Sequence, residues 1–114
     1  MSPITTHVLD LALGGPARGV AVTLSARAAD DRWEELARGI TDADGRVPEL
    51  LPDGRLIRAG DHQLRFDVAA YFLSLGRSTF YTDVVVAFRV EDPNAHHHVP
   101  LLLSPFGYST YRGS

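Results

Sequence analysis

The sequence predicts an all-β protein: a sandwich of two antiparallel sheets with one short helix. Seven or eight short segments set apolar residues at every second position, which is the period of a strand that buries one face. The segments are separated by clusters of glycine, proline, asparagine and aspartate, as at Gly14-Gly15-Pro16, Asp42-Ala43-Asp44-Gly45 and Asp92-Pro93-Asn94. Strands of this number in 114 residues suit one small domain, residues 1–114, built as two packed layers.

The first strand spans Ile4 to Asp10, with Ile4, Thr6 and Val8 on one face and Thr5, His7 and Leu9 on the other. After the Gly14-Gly15-Pro16 turn, Val20 to Ala28 gives the clearest period of two, with Val20, Val22, Leu24, Ala26 and Ala28 aligned. Trp33, Leu36, Ala37 and Ile40 are spaced as on a helix as well as on an irregular strand, so periodicity leaves this segment open. The Asp42 to Gly45 turn hands directly to Arg46, which fixes the position of that cation just past a tight reversal. Pro48 to Gly60 holds two prolines and two glycines and reads as a loop or short edge strand.

His62, Leu64, Phe66 and Val68 share the face of a further strand. Ala69 to Leu75 loses the alternation and gains helix formers, and Gly76 follows as a stop, so a two-turn helix is expected there. Val84, Val86, Phe88 and Val90 give the next strand. The final strand runs from about His96 to Leu103, and Ser104-Pro105 ends it.

Composition removes several function classes. A net charge of -3 provides no basic field for nucleic acid or anionic lipid. No apolar run is long enough to span a bilayer, and the first residues lack the basic and apolar regions of a secretory signal, so a cytoplasmic protein is expected. The absence of cysteine excludes disulfides and a thiolate nucleophile. All eleven basic residues are arginine, a bias more typical of genome composition than of anion binding.

The last seventeen residues, His98 to Ser114, carry an apolar strand into a polar, aromatic end. Its final eight positions hold two tyrosines, an arginine and three serine or threonine hydroxyls. That donor and acceptor capacity exceeds what the end of a strand needs, and it reads as part of a site. Tyr111-Arg112-Gly113-Ser114 resembles the C-terminal signature of the 5-hydroxyisourate hydrolases, the transthyretin-like enzymes of urate breakdown. Thr6-His7-Val8-Leu9-Asp10, the Gly14 to Val20 turn and Thr41 to Arg46 extend the resemblance over nearly the whole chain.

The resemblance implies a transthyretin-like sandwich, a strand for Trp33 to Ile40, and a homotetramer with its sites in a channel between dimers. It places the family's active residues on His7, Arg46, His98 and the tetrad Tyr111, Arg112, Gly113 and Ser114, with 5-hydroxyisourate as substrate and no cofactor. His7, Arg46, His98 and Ser114 then carry the catalytic roles, while His7, Arg46, Tyr111, Arg112 and Gly113 hold the substrate.

Those residue types suit the chemistry. Metal-independent hydrolysis of a cyclic, imide-like carbonyl needs a base for water, a cation for the developing oxyanion and an acid for the departing nitrogen. Histidine serves as base or acid near neutrality, and arginine stays charged. A lone histidine on a strand is commonly a surface residue, and an arginine after a turn is commonly solvated. Only the joint match of His7, Arg46, His98 and the terminal tetrad outweighs those plain readings.

The triplet His96-His97-His98 invites a metal, but strand parity points His96 and His98 one way and His97 the other, so no metal site is expected. His96 is expected to hydrogen-bond near the site and His97 to be structural. A serine nucleophile such as Ser114 lacks a Gly-x-Ser-x-Gly elbow, so direct attack by water is the expected route. The competing functions are a non-catalytic carrier of small aromatic ligands, as transthyretins proper are, and a module that only mediates protein contacts. Transthyretins share Leu103-Ser104-Pro105 and Tyr108-Ser109-Thr110 but lack the terminal tetrad and the histidine and arginine set.

Overall fold

In the computed structural model, residues 2–114 are described and form eight strands and one helix. In chain order these are β1 (Ile4–Asp10), β2 (Gly15–Pro16), β3 (Ala21–Arg27), β4 (Trp33–Ile40), β5 (Gly60–Asp67), α1 (Val68–Ser74), β6 (Val84–Val90), β7 (His97–Ser104) and β8 (Gly107–Thr110). One sheet has the order β2-β1-β7-β8 and the other β4-β3-β5-β6. The sandwich is as expected, with one pairing that is parallel: β1 lies alongside β7 in the same direction, Ile4 opposite His97 through Asp10 opposite Leu103.

Alternation decides what lies between the sheets. Ile4 and Val8 of β1 and Leu101 and Leu103 of β7 meet Val22, Leu24, Leu64 and Phe66 of the facing sheet, all essentially fully buried. The Thr6 hydroxyl shares this inner face and donates to the Val99 carbonyl at 2.7 Å, which offsets its burial.

Trp33 to Ile40 is a strand, and its helix-like spacing has a local cause. Pairing with β3 jumps from Leu24 opposite Ala37 to Ser25 opposite Glu35, so Leu36 is an extra residue that resets the parity of β4. The 48–59 segment contains no strand. The helix starts one residue earlier than expected because the Asp67 carboxylate accepts from the Ala70 N–H at 3.3 Å, and Gly76 follows its end at φ 67°. No helix among the described residues is long and apolar enough to cross a membrane.

β7 stops at Ser104 as expected, but it is not the final strand. The chain turns through Pro105 and Phe106 and returns as β8, antiparallel to β7 from Ser104 opposite Gly107 to Leu101 opposite Thr110. Proline suits the turn, and the Ser104 hydroxyl closes it by donating to the Gly107 carbonyl at 2.9 Å. The polar run Tyr108-Ser109-Thr110 is thus an edge strand, which concealed it from a search for apolar alternation.

One buried charge ties the helix side of the molecule to β1. Asp10 is fully buried, and its carboxylate accepts from the Tyr71 hydroxyl at 2.7 Å, from Arg77 at 2.9 Å and from the Ala12 and Leu13 N–H groups. Burial opposes the charge, but the donors from Tyr71, Arg77 and Leu13 outweigh it and hold the carboxyl below its ordinary pKa. Burial and the bond to Asp10 push the Tyr71 phenol up. Asp10→Asn places an N–H₂ where donors converge and should cost about 2–4 kcal/mol in urea denaturation at pH 7. A depressed carboxyl pKa stabilises the fold above the unfolded value of about 3.9, and that contribution is lost as pH falls through the folded value. The gap between wild type and variant should therefore narrow below about pH 4, and a gap independent of pH contradicts this account.

Candidate active site

The parallel register of β1 and β7 aligns the outward residues of both strands. Thr5 stands opposite His98 and His7 opposite Pro100, with Thr5, His7 and His98 all half-buried on the face turned away from the core. Arg46 joins them through its turn. The Gly45 carbonyl accepts from the Val8 N–H at 2.8 Å, and His7 and Arg46 form an antiparallel bridge. Gly45 sits at φ 76°, and a Cβ there would lie 2.3 Å from the Val8 carbonyl oxygen, so only glycine allows this approach. The Asp42 carboxylate accepts from the Asp44 and Arg46 N–H groups and sets the turn.

The tail docks on the same strand. Beyond β8 the Gly113 N–H donates to the His98 carbonyl at 2.8 Å, and the glycine packs against the imidazole. A Cβ on residue 113 would meet His98 Cδ2 at 2.5 Å and the Pro100 ring at 3.3 Å. A glycine in the tetrad is therefore a steric requirement of the histidine beneath it.

These elements enclose a cavity of about 410 Å³ lined by Thr5, Arg46, Pro48, His96, His98 and Ser114, among others. His98 Nδ1 lies 2.8 Å from the Thr5 hydroxyl, which is also 2.9 Å from His96 Nε2. The two rings are nearly parallel, with centroids 6.3 Å apart. Burial, then the charge of Arg46 and the neighbouring His96 and His7, lower the pKa of His98. Its imidazole is neutral at neutral pH and able to accept a proton.

Of the residues predicted from sequence, Arg46, His98 and Ser114 line the cavity together, and Gly113 supports it. His7 lies on the same face and close enough to act on the charge of His98, though it is not part of the lining. Tyr111 and Arg112 turn elsewhere, to a recess of about 130 Å³ shared with Val86 and Phe88 of the other sheet. His97 also faces that recess, and its Nδ1 is buried without a partner among the described residues. Burial and then Arg112 lower the pKa of His97. Thr5 was missed by sequence reasoning: its partners lie 91 and 93 residues away, and its only signal was a shared face with His7.

A model of the HIUase/Transthyretin family matches residues 4–113. The chain belongs to this family. Among relatives in the HIUase/Transthyretin family, the 5-hydroxyisourate hydrolase of Mus musculus is 46% identical over 99% of this chain and 96% of its own length. That of Salmonella typhimurium is 43% identical over 97% of this chain and 80% of its own. The solved Klebsiella pneumoniae 5-hydroxyisourate hydrolase superposes with a TM-score of 0.83 at 37% identity, covering 97% of this chain and 98% of that one. Transthyretin from Sparus aurata superposes with a TM-score of 0.91 at 34% identity, covering 99% and 97%. The backbone is thus common to both branches of the family, and side chains at the site must separate them.

The electrostatic account of His98 is open to direct measurement. Arg46→Met keeps the length of the side chain and removes its charge, so the His98 pKa followed by NMR should rise. A fall or no change would show that Arg46 does not face this imidazole.

Proposed function

We propose that this protein hydrolyses 5-hydroxyisourate to 2-oxo-4-hydroxy-4-carboxy-5-ureidoimidazoline in urate catabolism. The convergence of Arg46, His98 and Ser114 on one cavity carries the reading. The curated relatives at 43% and 46% identity are named 5-hydroxyisourate hydrolases, so the chain is assigned to the hydrolases.

Neutral His98 takes a proton from water, whose oxygen bonds to the ring carbonyl carbon. Arg46 stabilises the charge that develops on the carbonyl oxygen. The ring C–N bond then breaks, the carbonyl becomes a carboxylate, and the departing nitrogen receives a proton from protonated His98 or from His7. Arg46 and His7 orient the planar, heteroatom-rich substrate, and Ser114 offers a hydroxyl at the cavity wall. Tyr111 and Arg112 complete substrate binding from the tail, and their place outside this cavity within one chain fits a site finished by a second copy. The assembly is a homotetramer with its sites at the dimer–dimer interface, and residues 1–114 act as one domain.

The carrier reading draws on the higher TM-score with transthyretin. Backbone superposition is blind to side chains, and a carrier has no use for a cation beside a neutral histidine in a wall closed by Gly113 and Ser114. The hydrolase reading therefore stands first.

Freshly generated 5-hydroxyisourate should lose its ultraviolet absorbance faster with the protein than spontaneously; no acceleration at micromolar protein refutes the proposal. Activity should fall as pH drops through the His98 pKa, below the ordinary value of about 6.5. His98→Asn should lower the rate by about 10² to 10⁴.

Deleting Tyr111 to Ser114 removes residues beyond β8 and little of the apolar core. The shortened protein should keep a cooperative melt and a sedimentation mass about four times 12.4 kDa. It should lose at least about 10² in kcat/KM, or roughly 2.7 kcal/mol. Loss of the melt would make the tail structural.

A further inference from the structure

The Thr5 hydroxyl stands between two imidazoles, at 2.8 Å from His98 Nδ1 and 2.9 Å from His96 Nε2. A hydroxyl has one hydrogen and two lone pairs, so besides accepting from both rings, which also puts the proton on His98 Nδ1, two neutral arrangements satisfy both contacts. In one, Thr5 donates to His96 and accepts from His98 Nδ1–H, leaving the lone pair of His98 at Nε2. In the other, Thr5 donates to His98, accepts from His96, and leaves a proton on His98 Nε2. The second nitrogen of His98 has no protein partner among the described residues and is not one of the buried unpaired atoms, so it is the one open to a reacting molecule. The Thr5 hydrogen bond therefore decides whether the exposed nitrogen is a base or an acid.

We propose that Thr5 is a positioning residue that donates to His96 and holds His98 as the Nδ1–H tautomer, with Nε2 as the proton acceptor in the cavity. Two observations favour this arrangement. His98 and Arg46 line one cavity, where a cation favours a bare lone pair over an N–H at the open nitrogen of the ring. Gly113 against Cδ2 and its N–H on the His98 carbonyl lock the ring and its backbone, so a ring flip cannot exchange Nδ1 for another ring atom at Thr5 without moving the tail. When Nε2 takes the proton of water, the Nδ1 proton can pass to the Thr5 oxygen as the hydroxyl proton passes to His96 Nε2. His96 is exposed and can release the charge to solvent. Each transfer moves one proton and breaks one O–H or N–H bond as it forms another.

The catalytic part of this inference rests on the hydrolase reading; the tautomer does not. In ¹⁵N-labelled wild type, imidazole shifts at pH 7 should show His98 protonated at Nδ1 and bare at Nε2. Thr5→Val, which keeps the shape of the side chain and removes the hydroxyl, should raise the Nε2–H population and lower kcat at least about 10-fold with KM little changed. Thr5→Ser should restore both. Wild-type His98 found as Nε2–H overturns the proposal whatever the substrate, as does a Thr5→Val protein with unchanged tautomer. If 5-hydroxyisourate is not turned over by wild type, the function fails while the tautomer measurement still judges Thr5. A shifted tautomer with unchanged kcat in an active protein removes the positioning role.

Discussion

The parallel pairing of β1 with β7 is the constraint on which both the fold and the site depend. In a sandwich whose other pairings are antiparallel, it sets seven consecutive residues of β1 against seven of β7. Because side chains alternate, one register serves two purposes: Ile4, Val8, Leu101 and Leu103 go to the core while Thr5, His7 and His98 go to the opposite face. A slip by one residue would send the histidines into the apolar layer and the leucines into the cavity. The hydrophobic effect thus enforces the alignment of polar groups that it does not itself stabilise, since each of the buried leucines favours the register by about 1.5–3 kcal/mol.

Around that pair the chain builds with close backbone contacts. Two glycines, Gly45 and Gly113, allow a turn and a tail to approach β1 and β7 to distances that any Cβ would forbid. Arg46 and Ser114 reach the cavity as a result, although neither belongs to a strand. Fixed backbone with short connections gives the cation and the imidazole little freedom to relax apart, so burial and then the nearby cation both disfavour the protonated form of His98.

Much of this was legible in the sequence. Strands with an apolar face, the Asp42 to Gly45 turn and the α1 stop at Gly76 all follow from local chemistry, and local chemistry is what periodicity and turn residues report. What escaped was set by partners far away in the chain. Nothing near Ile4 or His97 signals that they pair in parallel, and β8 has no apolar alternation to show because it is an edge with polar side chains. Leu36 misled through a bulge that exists only by reference to β3. The terminal tetrad was found as a motif, but the motif could not say that Gly113 rests on His98 while Arg112 turns to the other side.

The separation of the paired strands also bears on when the site comes into being. Thr5 and His98 are 93 positions apart, and closing a loop of that length costs about 4 kcal/mol of chain entropy before any contact repays it. The β3, β4, β5 and β6 sheet needs only nearer neighbours, with one hairpin, one long loop and one helix between its strands. During synthesis that sheet has its full complement of strands once Val90 has emerged, whereas β1 must wait for β7 to complete its hydrogen bonding. Until then β1 presents an open edge and an uncovered apolar face. A nascent chain arrested just after β6 is consequently a half-sandwich in which Thr5 has neither of its imidazole partners.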